Sequence, residues 1–182
     1  AAWAEPAREA ARADVDLAAM RELLPDLSEA EWARATSVAD PFAEVVPGLY
    51  QLMVQTEIVR RLTLAGLERQ AWSLAVVYVE GTDTIGHLLA PFASPPLAGV
   101  SQDDARRFAS VPERYFARID RWIGELEELA RRRGAVLMIA SDHGFEWGEG
   151  RPRALSSAGS ATAAQWHREA GIYLLTGPGV AA

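Results

Sequence analysis

The three histidines of this 182-residue chain all lie in short motifs with the composition of metal-binding sites. Asp83 and His87 are four residues apart, Asp142 and His143 are adjacent, and His167 stands between a tryptophan and an arginine. Imidazole nitrogen and carboxylate oxygen are the ligands that hydrolytic zinc and manganese ions prefer. A chain that places all of its histidines in this way is predicted to be a metallohydrolase.

The spacing within each motif decides how its side chains can share one ion. One turn of helix would put Asp83 and His87 on the same face, although a capping acid beside an unrelated histidine has the same pattern. Adjacent strand residues point to opposite faces, so Asp142 and His143 need a departure from strand geometry, which the following glycine permits. His167 alone is typical of a core or surface histidine. The interpretation of His167 as a metal ligand is favoured because a strand is predicted after it and because the other two histidines already belong to metal-binding motifs.

Composition narrows the class of protein. The length suits one domain with its own core, and 49% hydrophobic with 24% charged residues is ordinary for a globular protein. A net charge of −7 and a pI of about 5.0 argue against binding of polymeric nucleic acid, whereas a phosphorylated small molecule is compatible with bound cations. Without cysteine there is no disulfide or thiolate metal site, and no stretch reaches the roughly 18 apolar residues of a membrane span.

The first part of the chain, residues 1–70, is predicted to be helical. Ser28 followed three residues later by Glu31 is a capping box that opens one of these helices. A second long helical stretch is predicted between residues 101 and 133, with Ser101 as its cap and three arginines at its negative end. Pro112 is expected to kink or divide it, because proline removes a hydrogen-bond donor.

The second part, residues 71–182, contains the candidate metal ligands. Three short apolar runs, at 74–79, 135–140 and 171–175, are typical of strands buried on both faces. Strand, helix and strand in this order predict an α/β fold, with a mostly parallel sheet flanked by helices. We expect one domain over residues 1–182, and a loop over the site at 148–164.

Three blocks of the second part resemble one known family. They are residues 78–87 (YVEGTDTIGH), residues 141–145 (SDHGF), and the dipeptide Trp166-His167 followed by residues 171–180 (GIYLLTGPGV). In content and order they resemble the type I phosphodiesterase and nucleotide pyrophosphatase family of the alkaline phosphatase superfamily. The resemblance covers residues 72–180 and implies an alkaline-phosphatase-like fold.

The resemblance also implies two divalent metal ions held at five positions of this chain. Asp83, His87 and His167 would hold one ion, and Asp142 with His143 would contribute to the other. Zinc is the expected metal, with manganese or iron as alternatives. The family's remaining ligands to the second ion are an early Asp and the Ser or Thr nucleophile, and the first 70 residues contain no counterpart of either.

This departure from the family pattern predicts a fragment of a larger catalytic domain that lacks its N-terminal, nucleophile-bearing portion, so no catalytic nucleophile is assigned. The parent enzyme is expected to hydrolyse small-molecule phosphoesters, phosphodiesters ahead of monoesters. Two alternatives stay open: a non-catalytic or truncated metal-binding module, and another branch of the superfamily such as a sulfatase, a phosphonate hydrolase or a cofactor-independent phosphoglycerate mutase. Oligomeric state and compartment do not follow from the sequence.

Overall fold

The structure is a computed structural model and describes residues 4–153 and 163–180. Helices make up most of these residues. No helix in these residues is long and apolar enough to cross a membrane. The α-helices are α1 (Ala4–Asp14), α2 (Leu17–Leu23), α3 (Glu29–Ala35), α4 (Val45–Arg69), α5 (Gly81–Leu89), α6 (Gln102–Phe108) and α7 (Val111–Arg133), with short 3-10 helices at Pro41–Ala43, Ala90–Phe92 and Ala163–Trp166.

Local capping chemistry sets the helix boundaries. Ser28 accepts a hydrogen bond from the Glu31 amide while the Glu31 carboxylate accepts one from the Ser28 amide, so the predicted capping box of α3 is confirmed. Ser101 Oγ accepts a hydrogen bond from the Asp104 amide and so caps α6, as predicted. The predicted long helix is divided, because α6 ends before α7 begins at Val111. Gly134 ends α7 in the left-handed conformation, at φ 63°.

The main core lies between α4, α5 and α7. Leu52 and Met53 of α4 pack with Ile85 of α5 and with Tyr115 and Trp122 of α7, all buried. At the centre of this core the Tyr115 hydroxyl lies 2.8 Å from Thr56 Oγ1, whose own proton is donated to the Leu52 carbonyl, also at 2.8 Å. This packing fixes α5, and therefore Asp83 and His87, against the two longest helices.

Two small antiparallel sheets follow α7. Strand β1 (Leu137–Ala140) pairs with β4 (Tyr173–Thr176), and β2 (Gly144–Phe145) pairs with β3 (His167–Arg168). In the second sheet Phe145 is directly opposite His167. The pairing therefore brings the third histidine of the sequence beside the Asp142-His143 motif.

The described strands do not form the predicted mostly parallel sheet. They pair antiparallel, and the apolar run 74–79 forms no strand and is largely exposed. A strand needs a hydrogen-bonding partner as well as β-branched residues. The run at 74–79 has no such partner in the described part of the chain, so its composition alone does not make it a strand.

The predicted loop at 148–164 is described only in part. Residues 148–153 are turns and irregular chain, and a 3-10 helix begins at Ala163. The rest of the predicted loop, 154–162, lies outside the described residues.

Candidate metal centre

Asp83, His87 and His167 bring their ligand atoms together within 4.8 Å of one another. Helix α5 places Asp83 and His87 one turn apart on the same face, and β3 supplies His167. His87 Nε2 lies 3.1 Å from His167 Nε2 and 3.4 Å from Asp83 Oδ2, and His167 Nε2 lies 3.0 Å from Asp83 Oδ1.

These separations fit a tetrahedral zinc site. Ligands about 2.0–2.1 Å from a tetrahedral ion are roughly 3.3 Å from one another. Asp83 Oδ1 is buried and has no hydrogen bond in the described part of the chain, although His167 Nε2 is 3.0 Å away. The geometry of this short contact is not that of a hydrogen bond. It is what we expect when a lone pair on each of the two atoms points towards a shared ion. The donor set therefore fits one divalent cation.

Burial prepares His87 to act as a ligand. Desolvation lowers the pKa of His87 below its usual value; the Asp83 carboxylate opposes this shift, and the His167 and His143 rings add to it. A neutral imidazole has the free lone pair that a metal ion needs. His87 is the most buried of the three ligands, so its position is the most tightly constrained by packing.

His143 lies next to this group, but its neighbour Asp142 is exposed. The His143 ring stacks on His167 with centroids 3.7 Å apart, and its Nε2 is 4.0 Å from Asp83 Oδ1 and 3.8 Å from Asp142 Oδ1. Its Nδ1 donates to the Gly144 carbonyl at 2.9 Å, because a carbonyl can only accept. In the neutral ring this leaves the lone pair on Nε2, the nitrogen that lies nearest both aspartates.

The chain leaves strand geometry at residues 141–143, as predicted, and Gly144 follows this departure. It lies within β2, and no positive φ is found there. Its small size is needed because a Cβ atom would lie 2.8 Å from the Ala170 carbonyl oxygen. The absence of a side chain at Gly144 therefore permits the close approach of two chain segments.

Phe145 is a site residue that the chemistry of the sequence did not single out. Its ring contacts His87 edge-on with centroids 5.1 Å apart and lies 6.0 Å from the ring of His167. It also covers Gly86, where a Cβ atom would lie 2.6 Å from the Phe145 ring. Phe145 thus forms the apolar wall behind two ligands; the available signal was its position beside the Asp-His-Gly motif.

Three hydroxyl groups that lie close in sequence to the ligands make hydrogen bonds with the backbone. Thr82 donates to the Val79 carbonyl at 3.1 Å and Thr84 to the Glu80 carbonyl at 3.3 Å. Ser141 Oγ accepts from the Ile172 amide at 2.9 Å. Thr82 and Thr84 thus bond back onto their own segment, whereas Ser141 bonds to the segment that precedes β4.

Comparison with known proteins gives one family. The family model described as type I phosphodiesterase / nucleotide pyrophosphatase matches residues 3–178. Comparison with curated proteins and with solved structures gave no match. The match extends through the helical N-terminal region, well beyond the three blocks that carry the resemblance in the sequence.

Proposed function

Because this chain belongs to the type I phosphodiesterase / nucleotide pyrophosphatase family, we propose that it is the metal-binding portion of a phosphoester hydrolase. The family acts on phosphoester bonds and is typically dependent on divalent metal ions. Within it, this chain's role is to hold and orient the cations. The observation that carries the proposal is the convergence of Asp83, His87 and His167 at separations of 3.0–3.4 Å.

Five residues would hold two cations in this proposal. Asp83, His87 and His167 supply three ligands to the first, which leaves a fourth position open for substrate or water. Asp142 and His143 supply two ligands to the second. Divalent cations bound in such a pair of sites polarise the phosphoryl oxygens and lower the pKa of a coordinated hydroxyl. Zinc suits this set of nitrogen and oxygen ligands best, with manganese or iron as alternatives.

The surroundings of the ligands support a cation-dependent site. Phe145 excludes water from one side of His87, and the Gly144 carbonyl fixes the His143 tautomer. The substrate is proposed to be a small phosphoester, because the net charge of −7 disfavours polymeric nucleic acid. Membership of this family favours a phosphodiester over a monoester.

The nucleophile and the remaining ligands are proposed to come from outside the described residues of this chain. The hydroxyls of Thr82, Thr84 and Ser141 are held by backbone groups. Asp142 and His143 alone leave the second cation short of the four ligands that a tetrahedral ion takes. A supplied Asp and a supplied Ser or Thr would complete the site.

A second candidate function is a metal-binding module without catalysis of its own. The same engaged hydroxyls favour it, since a site that holds a cation but presents no nucleophile binds phosphate without forming a phospho-enzyme. Sulfatase, phosphonate hydrolase and phosphoglycerate mutase chemistry would use the same ligands and differ in the substrate turned over.

Cobalt substitution tests the ligand group directly. The 182-residue chain should bind one Co²⁺ with the visible absorption of a tetrahedral nitrogen–oxygen site. Asp83→Asn should abolish that spectrum, whereas Asp120→Asn, an exposed aspartate on α7, should leave it unchanged. A spectrum that survives Asp83→Asn would refute the assignment. Turnover of phosphodiester, phosphomonoester and sulfate ester substrates by a protein that contains this chain and also supplies a nucleophile then separates the branches.

A further inference from the structure

Arg151 is a buried cation that lies outside the set of candidate ligands. The residue is only 6% accessible to solvent. Desolvation alone lowers the pKa of its guanidinium, so no carboxylate in the described part of the chain neutralises the charge. Arginine stays protonated in proteins, and a buried charge is tolerated only where hydrogen bonds compensate it. The bonds that Arg151 makes therefore indicate what this side chain does.

The Arg151 guanidinium donates hydrogen bonds to two separate segments of the chain. Its Nη1 donates to the Trp147 carbonyl at 3.0 Å, within the turn that follows β2. Its Nη2 donates to the Ala93 carbonyl at 3.1 Å and to the Pro95 carbonyl, both in the chain that follows the 3-10 helix Ala90–Phe92. Arg151 Nε is buried without an acceptor in the described residues, so the cross-link is made by the two terminal nitrogens.

Each of the two segments continues into ligands of the candidate metal centre. The 3-10 helix Ala90–Phe92 follows directly on α5, which carries Asp83 and His87, and we call residues 81–97 the α5 unit. Strand β2 pairs with β3, which carries His167, and we call residues 144–151 and 163–168 the β2-β3 unit. The ligands of one proposed cation therefore come from two units, and their spacing depends on how the units are held together.

Apolar packing also joins the two units. It is non-directional, so it brings the units together but fixes their relative orientation less strictly than hydrogen bonds do. The guanidinium is planar and donates in fixed directions, so Arg151 adds the orientation that apolar packing lacks. The packed residues include Ala90 and Leu97 from the α5 unit and Trp166 from the β2-β3 unit, with Phe145 and Trp147 against them.

We propose that Arg151 is a positioning residue of the candidate metal centre, which holds the α5 unit and the β2-β3 unit at the separation that His87 and His167 need to share one cation. This inference rests on the proposed function and adds to it a residue that touches neither the ligands nor the cation. Lysine cannot take its place, because a single ammonium group lacks the planar fork that reaches both segments.

Two variants and a chemical rescue test the positioning role. Arg151→Ala and Arg151→Lys should each lower zinc affinity, measured by calorimetry, at least tenfold while circular dichroism shows a folded chain. Millimolar guanidinium, far below denaturing concentrations, should restore at least fivefold of the affinity lost in Arg151→Ala, because the terminal nitrogens alone make the bonds. Methylammonium, which has no planar fork, should restore none.

Arg133 provides the matched control. It also donates to two backbone carbonyls, those of Leu67 at 3.3 Å and Glu68 at 2.9 Å, but at the end of α7 and in neither unit. Arg133→Ala should lower stability in urea without changing zinc affinity. Unchanged zinc affinity in Arg151→Lys, an equal loss of affinity in Arg133→Ala, or equal rescue by guanidinium and methylammonium would each overturn the proposal.

A metal-free measurement separates this inference from the proposed function. The Phe145 and His87 rings lie 5.1 Å apart across the two units, so a nuclear Overhauser effect between their ring protons reports the packing of the units without zinc. It should be present in the original chain and weakened in Arg151→Lys. The same result in a chain that binds no zinc would keep the cross-link but refute the proposed function, and the positioning role with it. Zinc binding and an Overhauser effect that Arg151→Lys leaves unchanged would refute the positioning role alone.

Discussion

The imidazole of His143 lies flat on that of His167, with ring centroids 3.7 Å apart and planes 11° from parallel. His167 belongs to the three-ligand group and His143 to the Asp142 pair. The two proposed cation sites are therefore adjacent, with these stacked rings between them. The Asp83 carboxylate reaches both, at 3.0 Å from His167 Nε2 and 4.0 Å from His143 Nε2. If both proposed sites are filled, we expect the shared Asp83 carboxylate to couple their affinities.

The first prediction concerns unequal affinities. Calorimetry on the 182-residue chain should find one tightly bound zinc, because Asp83, His87 and His167 supply three ligands and the Asp142-His143 pair only two. His87→Ala should lower the tight affinity by 100-fold or more, since it leaves two ligands there. Asp142→Ala is the matched control, because its carboxylate is exposed and outside the three-ligand group. Two zinc ions bound with equal affinity would contradict this assignment.

The second prediction concerns the packing of Gly86 against Phe145. Gly86→Ala should destabilise the fold by roughly 1–3 kcal/mol, because its Cβ would lie 2.6 Å from the Phe145 ring and force it to move. Zinc affinity should fall as well, since that ring contacts His87.

Gly124 provides the matched control for this prediction. It lies in α7 with nothing near the position of an added Cβ, so Gly124→Ala should stabilise by roughly 0.5–1 kcal/mol through helix propensity alone. Urea unfolding measures both effects. Equal responses of the two glycines would mean that Phe145 moves away freely.

The helical features and ligand spacing of this chain were predictable because they depend on neighbours in sequence. The capping box of Ser28 and Glu31 involves residues three apart, and Asp83 with His87 needs one turn of helix. The strand predicted at 74–79 depended on a partner that local sequence does not specify, and the described part of the chain contains none.

The candidate site was predictable in residue type but not in its supporting contacts. The antiparallel pairing of Phe145 with His167 places two distant motifs side by side, and neither motif encodes its partner. The position of Phe145 behind His87 and over Gly86 follows from that pairing. Its aromatic character alone is equally typical of any core residue.

The third prediction concerns alkaline pH and the buried Tyr115. Burial raises the pKa of Tyr115 from 10.0 to about 12, while the hydrogen bond with Thr56 opposes the shift. The unfolded chain therefore loses this proton at lower pH than the folded chain. The stability contribution is complete below about pH 10 and is lost as the pH rises through about 12, a change of about 2–3 kcal/mol.

Tyr115→Phe should remove this part of the pH dependence in urea unfolding between about pH 9 and 11.5, at a cost of about 1 kcal/mol at neutral pH. Thr56 keeps its bond to the Leu52 carbonyl in that variant, so no buried donor is orphaned. Tyr173→Phe, at an exposed position, is the control and should leave the profile unchanged. An unchanged profile in Tyr115→Phe would show that this hydroxyl does not couple to unfolding.

The last prediction concerns turnover by the 182-residue chain. With zinc and an activated aryl phosphodiester, we expect hydrolysis at least 1,000-fold slower than in a longer protein that also supplies the nucleophile, since covalent catalysis needs an activated hydroxyl in reach of phosphorus. Thr82 and Thr84 are bonded to carbonyls one turn back in the chain, and Ser141 accepts from Ile172.

Turnover by this chain at a rate near that of the longer protein, removed by a chelator, would overturn this expectation. Alanine variants of Thr82, Thr84 and Ser141 would then identify which hydroxyl had left its backbone partner to attack. Asp142→Ala in the longer protein should cost several orders of magnitude in kcat, because it removes a ligand from the cation that stabilises charge in the transition state. The same variant should leave the single tight zinc site of the 182-residue chain intact, which distinguishes loss of catalysis from loss of fold.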